Sequence, residues 1–423
     1  MRCPYHGHPP YTLRPDPVSN GRCTLVSGNF NADRFSASGP PPPGGPRGPE
    51  KEKKRKEKTN IYIANSANKI RERHTMDLTT LATPLIDNGL LPDAVLRRGT
   101  RHLLSSRVAA LEAQSLEESD ASKMSFIASL KTQPIATHPS EANAQHYELP
   151  TSFFASCLGP HMKYSCCLWT PAAATLADAE DAMLSLYAER ARVSAGMRIL
   201  DLGCGWGSVA LYLASKYPSC TVTGLSNSKS QREHIMAQAH VRGLSNIDIL
   251  TADISHVTFE QKFDRIISIE MFEHLKNYEA LLAKLATWLE PDGRLFVHVF
   301  THKNTPYHFE TADTNAWMAT HFFSGGTMPS ADLFLFFQSH LEIVERWSVN
   351  GVNYAKTCEA WLKNQDGNKA EILRVFKGVY GADAFAWFQR WRLFYIACAE
   401  VFAYNGGKEW FVSHYLFKPK AAS

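Results

Sequence analysis

Two glutamates and a histidine stand close together in the segment S-I-E-M-F-E-H-L, residues 268–275. Glu270 ends an apolar run at 263–270 that is typical of a buried strand, and Glu273 and His274 follow in the turn toward the next helix. Carboxylates held together raise one another's pKa, and histidine titrates near neutral pH. The segment therefore predicts a proton acceptor that works close to neutral pH, beside groups that attract a cation.

Structural roles are the alternatives for these residues. Glu273 and His274 could form a capping cluster, because acidic side chains are favoured in the first turn of a helix. That role accounts for one carboxylate but not for two that flank a histidine, and Glu270 could still be a structural acid or part of an adenosine site. His298 and His302 lie four apart on a predicted strand without a third ligand nearby, so we expect core or surface histidines and no metal.

A glycine turn must help to position this segment. In R-I-L-D-L-G-C-G-W-G, residues 198–207, a buried strand closes at Asp201 and is followed by Gly203, Gly205 and Gly207, where backbone can approach a ligand closely. Residues 208–216 then have helical spacing. Alone, this pattern fits either a dinucleotide site or a tight connection.

The next strands separate these possibilities. The run T-V-T-G-L at 221–225 leads into Ser226 and Asn227, where a dinucleotide-binding protein would place an acid for the ribose. A further run at 247–254 carries Asp253 near its end. Polar groups at successive strand ends meet at the carboxyl edge of a parallel sheet, which is where α/β folds bind ligands.

This order of strands, with the wording D-L-G-C-G-W-G-S, resembles the class I S-adenosylmethionine-dependent methyltransferases. With Y-S-C-C-L-W at 164–169 and S-I-E-M-F-E-H-L-K-N-Y at 268–278, it resembles the group that contains plant coclaurine N-methyltransferases and bacterial cyclopropane-fatty-acyl-phospholipid synthases, over about residues 88–418. Strings at 300–310, 322–333 and 353–362 favour the amine branch. The resemblance implies an α/β fold: a Rossmann-like sheet with a helical N-terminal cap and a C-terminal helical, aromatic insertion.

The resemblance also implies S-adenosylmethionine as the cofactor and indicates its site. Asp201 closes the strand before the turn that would hold the methionine end. The implied contacts are Tyr164, Ser165, Gly203 and Gly205 for the methionine end, Asn227 and Gln231 for the ribose, and Asp253 and Ile254 for the adenine.

For catalysis, the E-x-x-E-H string of the amine branch carries over to Glu270, Glu273 and His274, and Glu148 in Q-H-Y-E-L-P carries over as an anchor for the substrate amine. An aliphatic amine resembles lysine, with a pKa near ~10.4, so it is mostly protonated at neutral pH. The site must hold the neutral amine or remove its proton. The predicted function is S-adenosylmethionine-dependent methylation of the nitrogen of a small, alkaloid-like amine.

Lipid modification is the main alternative. Cyclopropane synthases of this group use a bicarbonate held by a cysteine, a glutamate, a histidine and a tyrosine, and the matching positions here are Cys166, Glu273, His298 and Tyr354. Against this reading, the sequence shows no amphipathic basic helix suited to a membrane surface. A catalytically silent binding protein on the same scaffold is a third reading, which the intact motifs disfavour.

Length, composition and charge constrain the domain organisation and the binding partners of the chain. The 423 residues suffice for one large or two ordinary domains, and we expect a disordered, Pro/Gly-rich and basic tail at 1–75, a helical cap at 76–140 and a methyltransferase domain at 141–423. Met76 could be a translation start. The run K-E-K-K-R-K-E-K at 51–58 carries the same net charge, +4, as the whole chain, so the remainder is near neutral and argues against nucleic-acid binding.

The predicted location is the cytoplasm. The nine cysteines are scattered and form no C-x-x-C pair, which favours a reducing compartment over a zinc site. The sequence shows no signal peptide, and no stretch approaches the roughly 18 apolar residues of a membrane helix. A homodimer is left open.

Overall fold

The computed structural model describes residues 78–136, 149–309, 316–323 and 325–420, so the predicted tail at 1–75 lies outside the described residues. A seven-stranded sheet organises the described part, in the order β3-β2-β1-β4-β5-β9-β8. Its first five strands are parallel, and β9 runs antiparallel between β5 and β8. The strands are β1 (Arg198–Leu202), β2 (Thr221–Ser226), β3 (Ile247–Thr251), β4 (Phe263–Ile269), β5 (Leu289–His302), β8 (Leu341–Val349) and β9 (Trp410–Pro419), while β6 (Tyr307–His308) and β7 (Thr327–Met328) pair separately.

Helices cover both faces of the sheet. They are α1 (Leu78–Asp87), α2 (Asp93–Glu112), α3 (Leu116–Lys131), α4 (Thr151–Cys157), α5 (Leu176–Arg190), α6 (Ser208–Lys216), α7 (Lys229–Val241), α8 (Tyr278–Trp288), α9 (Ala316–His321), α10 (Val352–Gly367), α11 (Lys369–Tyr380) and α12 (Ala384–Ala403). Three of them, α10 to α12, lie between β8 and β9 and form the predicted C-terminal insertion. β9 pairs antiparallel with β8, which is the edge strand of the sheet.

Successive side chains of a strand point to opposite faces of the sheet, so the core is divided into two apolar clusters. On β5, Phe296 packs into one apolar cluster, and its neighbours Leu295 and Val297 pack into another. The first cluster also contains apolar side chains of α5, α6 and the C-terminal helices, and the second contains those of α3 and α8. Burial on both faces explains why these strands are apolar almost throughout.

Within the predicted helical cap at 76–140, residues 93–131 form two separate helices, α2 and α3. The break falls at 113–115 because the Ser115 side chain accepts the backbone N–H of Glu118, while the Glu118 carboxylate accepts the N–H of Ser115. This reciprocal capping box starts α3 anew.

The N-terminal helices are tied to the rest of the described chain by ion pairs and caps. On α2, Arg97 pairs with Glu400 of α12 at 3.2 Å, and Arg392 of α12 pairs with Asp93 at 3.0 Å. After α3, the Asn277 side-chain amide donates to the carbonyl of Gln133 at 2.7 Å. The helical insertion and α2 therefore pack together on one face of the sheet, whereas α3 packs with α8 on the other.

Candidate active site

A cavity opens at the carboxyl ends of β1, β2, β3 and β4, where the sequence predicts the cofactor. All nine residues assigned to S-adenosylmethionine line it, and so do Glu270 and His274. The nine are Tyr164, Ser165, Asp201, Gly203, Gly205, Asn227, Gln231, Asp253 and Ile254.

The glycine turn forms the floor of this cavity, and its conformation requires glycine. Gly203 has φ +80°, and a Cβ there would lie 2.6 Å from Cγ of Met271. Gly205 has φ +52°, and a Cβ there would meet nothing within 4 Å. The turn is therefore packed tightly behind Gly203 and open beside Gly205, which leaves room for a ligand.

Asp201 places a carboxyl group under the turn. It is 1% exposed, and its Oδ2 has no hydrogen-bond partner among the described residues. Burial raises the pKa of this carboxyl to about 7. An unpaired, buried carboxylate suits a cationic partner, and the methionine end of S-adenosylmethionine carries an ammonium group.

Gln231 offers a buried donor on the opposite side of the cavity. The hydroxyl of Ser226 donates to its Oε1 over 2.6 Å, which orients the amide, and Nε2 is left without a partner in the described part of the chain. Asp253 lies two residues beyond β3, with Oδ1 accepting the N–H of Ser255 over 2.7 Å. These polar atoms fit the hydroxyls and the base of the cofactor, so the residues present can hold it.

Glu270 is the centre of a buried hydrogen-bond cluster. It follows β4 directly, with φ +48°, and the left-handed backbone turns its side chain back toward the sheet edge. Its Oε1 accepts the N–H of Cys166 at 3.0 Å and a bond from Nε2 of His298 at 3.0 Å. Its Oε2 accepts the hydroxyl of Tyr354 at 2.6 Å. Three separate chain segments thus fix one carboxylate.

Glu273 lies deeper than predicted. It is fully buried and is not among the residues lining the cavity. Its Oε1 accepts the N–H of Phe300 at 2.9 Å, and Oε2 has no partner among the described residues. Of the three predicted catalytic residues in this segment, Glu270 and His274 therefore line the cavity and Glu273 does not. Glu148 lies outside the described residues.

The pKa values also differ from the sequence expectation. Burial lowers the pKa of His274 to about 4, far from the near-neutral titration expected. Burial, followed by the charge of Glu270, raises the pKa of Glu273 well above its usual range. Burial raises the pKa of Glu270 as well, but Lys163, the N–H of Cys166 and the hydroxyl of Tyr354 oppose this rise. The imidazole of His274 is therefore neutral at neutral pH. Burial favours the protonated form of Glu273, whereas the groups around Glu270 favour its carboxylate form against the effect of burial.

Aromatic rings connect the two ends of this site. The Tyr354 ring stacks on Phe402 at 4.4 Å, and Phe402 is 6.3 Å from Phe300. Phe300 is 5.8 Å from Phe323, which in turn is 5.0 Å from His274. We call these five residues the aromatic arc. It runs from the residue that holds Glu270 to the imidazole in the cavity wall.

On the sequence alone, His298 and Tyr354 are expected, with Cys166 and Glu273, around a bicarbonate in the alternative lipid site, and His298 is otherwise expected to be a core or surface histidine. The structure brings them to Glu270 instead. The family resemblance singled out His298 and Tyr354 as site residues. It could not show that Glu270 is their hydrogen-bond partner, because that depends on the backbone turn at Glu270.

In the part of the chain that the structure describes, these groups are accompanied by neither a metal site nor a membrane-spanning helix. Within the described ranges, no three His, Cys, Asp or Glu side chains are arranged to hold a metal ion. Across the same residues, no helix is long and apolar enough to cross a membrane.

Comparison with known proteins identifies the family. The mycolic acid cyclopropane synthetase family model matches residues 136–408. An (S)-coclaurine N-methyltransferase from Thalictrum flavum subsp. glaucum is 39% identical over 340 residues, which cover 79% of this chain and 94% of that enzyme. The chain belongs to this methyltransferase family. The predicted family, α/β fold class and enzyme class, an S-adenosylmethionine-dependent N-methyltransferase, are confirmed.

Two more relatives represent the amine branch and the lipid branch of the family. The crystal structure of a coclaurine N-methyltransferase bound to N-methylheliamine and S-adenosylhomocysteine has a TM-score of 0.78 and 36% identity, and covers 81% of this chain and 99% of that one. This structure supports the predicted cofactor, since S-adenosylhomocysteine is the product of S-adenosylmethionine. The cyclopropane-fatty-acyl-phospholipid synthase of Escherichia coli K12 is 34% identical over 221 residues, 52% of this chain and 55% of that enzyme.

Proposed function

We propose that this protein transfers a methyl group from S-adenosylmethionine to the nitrogen of a small, flat, alkaloid-like amine. The observation that carries the proposal is the Glu270 carboxylate, which accepts bonds from Cys166, His298 and Tyr354 at 2.6–3.0 Å. Glu270 lines the cofactor cavity, and Lys163, the N–H of Cys166 and the hydroxyl of Tyr354 favour its charged form.

This carboxylate distinguishes the amine reading from the lipid reading. In the lipid branch, groups at the positions of Cys166, His298 and Tyr354 hold a bicarbonate that removes a proton. Here the same three groups already hold the carboxylate of Glu270. A tethered carboxylate in place of an exchangeable base favours stabilisation of a cation over deprotonation of a carbon.

The charge change of the reaction suits this arrangement. S-adenosylmethionine, when bound, supplies an electrophilic methyl group on a sulfonium. Positive charge then develops on the acceptor nitrogen, and a fixed carboxylate oriented in advance stabilises this charge without reorganising. Glu270 therefore acts on the transition state and on the ammonium product more strongly than on the neutral amine.

His274 orients the amine and does not deprotonate it. A base with a pKa of about 4 would take a proton from an amine of pKa ~10.4 only at a cost of about 9 kcal/mol, at 1.36 kcal/mol per unit. The neutral imidazole can instead accept a hydrogen bond from the amine N–H and direct the lone pair toward the methyl group. We infer that the neutral amine is the form that reacts.

The aromatic arc suits a flat, cationic product. Ring faces attract cations, and the arc places Phe300 and Phe323 between the Glu270 and His274 ends of the site. The related coclaurine N-methyltransferase holds N-methylheliamine, which is an N-methylated amine. We extend that acceptor class, although not that compound, to this chain.

The remaining sequence predictions complete the proposal. Glu148 anchors the substrate amine, residues 1–75 are a tail, 76–140 a cap and 141–423 the methyltransferase domain. The protein works in the cytoplasm on a small molecule and not on nucleic acid, and a homodimer stays open. The seven described cysteines, all free, are compatible with a reducing compartment.

Chemical rescue tests the role of Glu270. Glu270→Gly removes the carboxylate while suiting the left-handed backbone at φ +48°, and it frees the donors on Cys166, His298 and Tyr354. We expect amine methylation to fall by at least a hundredfold and millimolar formate to restore part of it. Glu270→Gln, whose amide fills the space, is the control that formate does not rescue. Wild-type turnover by Glu270→Gly would overturn the proposal.

A further inference from the structure

A chain of hydrogen bonds leads from the end of α5 through two histidines to Glu270. Nη1 of Arg190 is 2.7 Å from Nδ1 of His414. Nε2 of His414 is 2.9 Å from Nδ1 of His298, and Nε2 of His298 is 3.0 Å from Oε1 of Glu270. We call these four residues the histidine chain.

The direction of every bond in the histidine chain follows from Arg190. A guanidinium only donates, so Nδ1 of His414 must accept and its proton must sit on Nε2. That Nε2–H faces Nδ1 of His298, which must then accept as well. The proton of His298 therefore sits on Nε2, from which it is donated to the carboxylate of Glu270.

We propose that Arg190 and His414 are positioning residues that lock His298 in the tautomer that donates to Glu270. The inference rests on the proposed function, in which the Glu270 carboxylate stabilises the methylated nitrogen. Neither Arg190 nor His414 lines the cavity. Arg190 contacts His414 and His414 contacts His298, so both act on Glu270 through His298.

Burial makes the lock effective. His298 and His414 are both 0% exposed, so water cannot replace a missing partner. Burial lowers the pKa of both rings well below the usual range, which keeps them neutral. The hydroxyl of Tyr187 also lies 2.9 Å from Nδ1 of His298, and its ring packs edge-on against His298 at 5.3 Å, which restrains the imidazole.

The same geometry disfavours a proton on Oε1 of Glu270. If that oxygen donated to Nε2 of His298, the histidine would carry its proton on Nδ1, directly opposite the Nε2–H of His414. Two protons would then face each other across 2.9 Å. The lock therefore favours the carboxylate form of Glu270, and Arg190 cannot pass a proton onward because it does not deprotonate. The histidine chain sets charge and orientation and is not a route for protons.

The tautomers can be read directly, without a substrate. In ¹⁵N-histidine-labelled wild-type protein bound to S-adenosylhomocysteine, protonated and bare ring nitrogens give separate signals, which single histidine substitutions assign. We expect both His298 and His414 to carry the proton on Nε2 alone. In Arg190→Met, which removes the donor but keeps an apolar stem, we expect His414 to show both tautomers. A proton on Nδ1 of either ring in the wild type would overturn the proposal.

Kinetics supply the second test. His414→Phe removes the donor to His298, and we expect kcat for the amine to fall by about 10- to 100-fold, in line with a lost hydrogen bond in a charged network. KM and S-adenosylhomocysteine affinity should change by only a few fold. His414→Gln, with its amide nitrogen in place of Nε2 and its oxygen in place of Nδ1, should restore most of kcat.

Tyr415→Phe is the matched control. It removes one buried hydrogen bond of β9, from the Tyr415 hydroxyl to the carbonyl of Ala331, but leaves the histidine chain intact. It should turn over like the wild type. Equal losses in the Phe and Gln variants of His414 would overturn the lock. If the wild type methylates no amine, the proposed function fails, while the NMR experiment still decides the tautomers.

Discussion

The hydroxyl of Tyr354 donates to Oε2 of Glu270 over 2.6 Å and so joins the start of α10 to the end of β4. The two residues lie 84 positions apart in the sequence. One partner belongs to the cofactor-binding sheet and the other to the helical insertion. The hydrogen-bond cluster around Glu270 is therefore complete only when the insertion has packed on the sheet.

Loss of this single hydroxyl should reduce turnover without unfolding the protein. Tyr354→Phe keeps the ring that stacks on Phe402 at 4.4 Å, so packing is retained. Removing a hydrogen bond to a charged group costs about 1.5–3 kcal/mol, which corresponds to a fall in kcat of about 10- to 150-fold. Steady-state kinetics with a secondary amine, alongside Tm, measures this. A drop in Tm that parallels the loss of kcat would show that the bond is structural.

Glu273 should tolerate glutamine but not alanine. Burial raises the pKa of this carboxyl well above its usual range and so favours the neutral, protonated form, which glutamine mimics while still accepting the N–H of Phe300. We expect Glu273→Gln to keep kcat within a few fold. Glu273→Ala leaves that N–H unpaired and opens a cavity, so it should lower the free energy of unfolding by about 1–3 kcal/mol and reduce turnover. Inactive but fully stable Glu273→Gln would mean that the negative charge of Glu273 takes part in the reaction.

Asp201 should make product binding depend on pH. Burial raises its pKa to about 7 from 3.8, so in the ligand-free protein the carboxyl is neutral below pH 7 and charged above. The ammonium group of S-adenosylhomocysteine favours the charged form. Affinity measured by calorimetry should therefore fall about tenfold per unit as pH drops below 7, and level off above it.

The Asp201 carboxyl should make the free energy of unfolding change with pH in the opposite direction to product affinity. Between its unfolded pKa near 3.8 and its folded pKa of about 7, the native protein binds more protons than the unfolded chain. The unfolding free energy of the ligand-free protein should therefore decrease as pH rises through this window. Asp201→Asn is the control, and both pH dependences should disappear in it. An unchanged binding profile in Asp201→Asn would assign the titration to another group.

The sequence allowed the residues assigned to the cofactor to be placed at one edge of the sheet because they are local. Asp201, Gly203 and Gly205 lie in one strand-turn segment, and Asn227 and Asp253 follow the ends of the next two strands. A parallel sheet brings such strand ends to one edge whatever the details of packing. Register and helix boundaries were the main features left to the structure.

The arrangement of Glu270, Glu273 and His274 could not be predicted from the sequence in the same way. The spacing of Glu270 and Glu273 suggests that both face the pocket, but the positive φ of Glu270 and the short helical turn at 272–274 send the second carboxylate into the core. Burial then moves the pKa of His274 far below neutrality, and periodicity alone gives no measure of burial. The partners of Glu270 come from β5 and α10, so they depend on packing between distant segments.

The central claim is that Glu270 makes this protein an amine methyltransferase and not a lipid-modifying enzyme. The most direct test offers purified protein S-adenosylmethionine with a radiolabelled methyl group, a panel of secondary and primary amines, and vesicles of unsaturated phospholipid, with and without bicarbonate. We predict that label enters an amine as N-methyl at a rate that bicarbonate does not change. Label that enters the lipid, at a rate that rises with bicarbonate, would contradict the account and make Cys166, His298 and Tyr354 the holders of an exchangeable base.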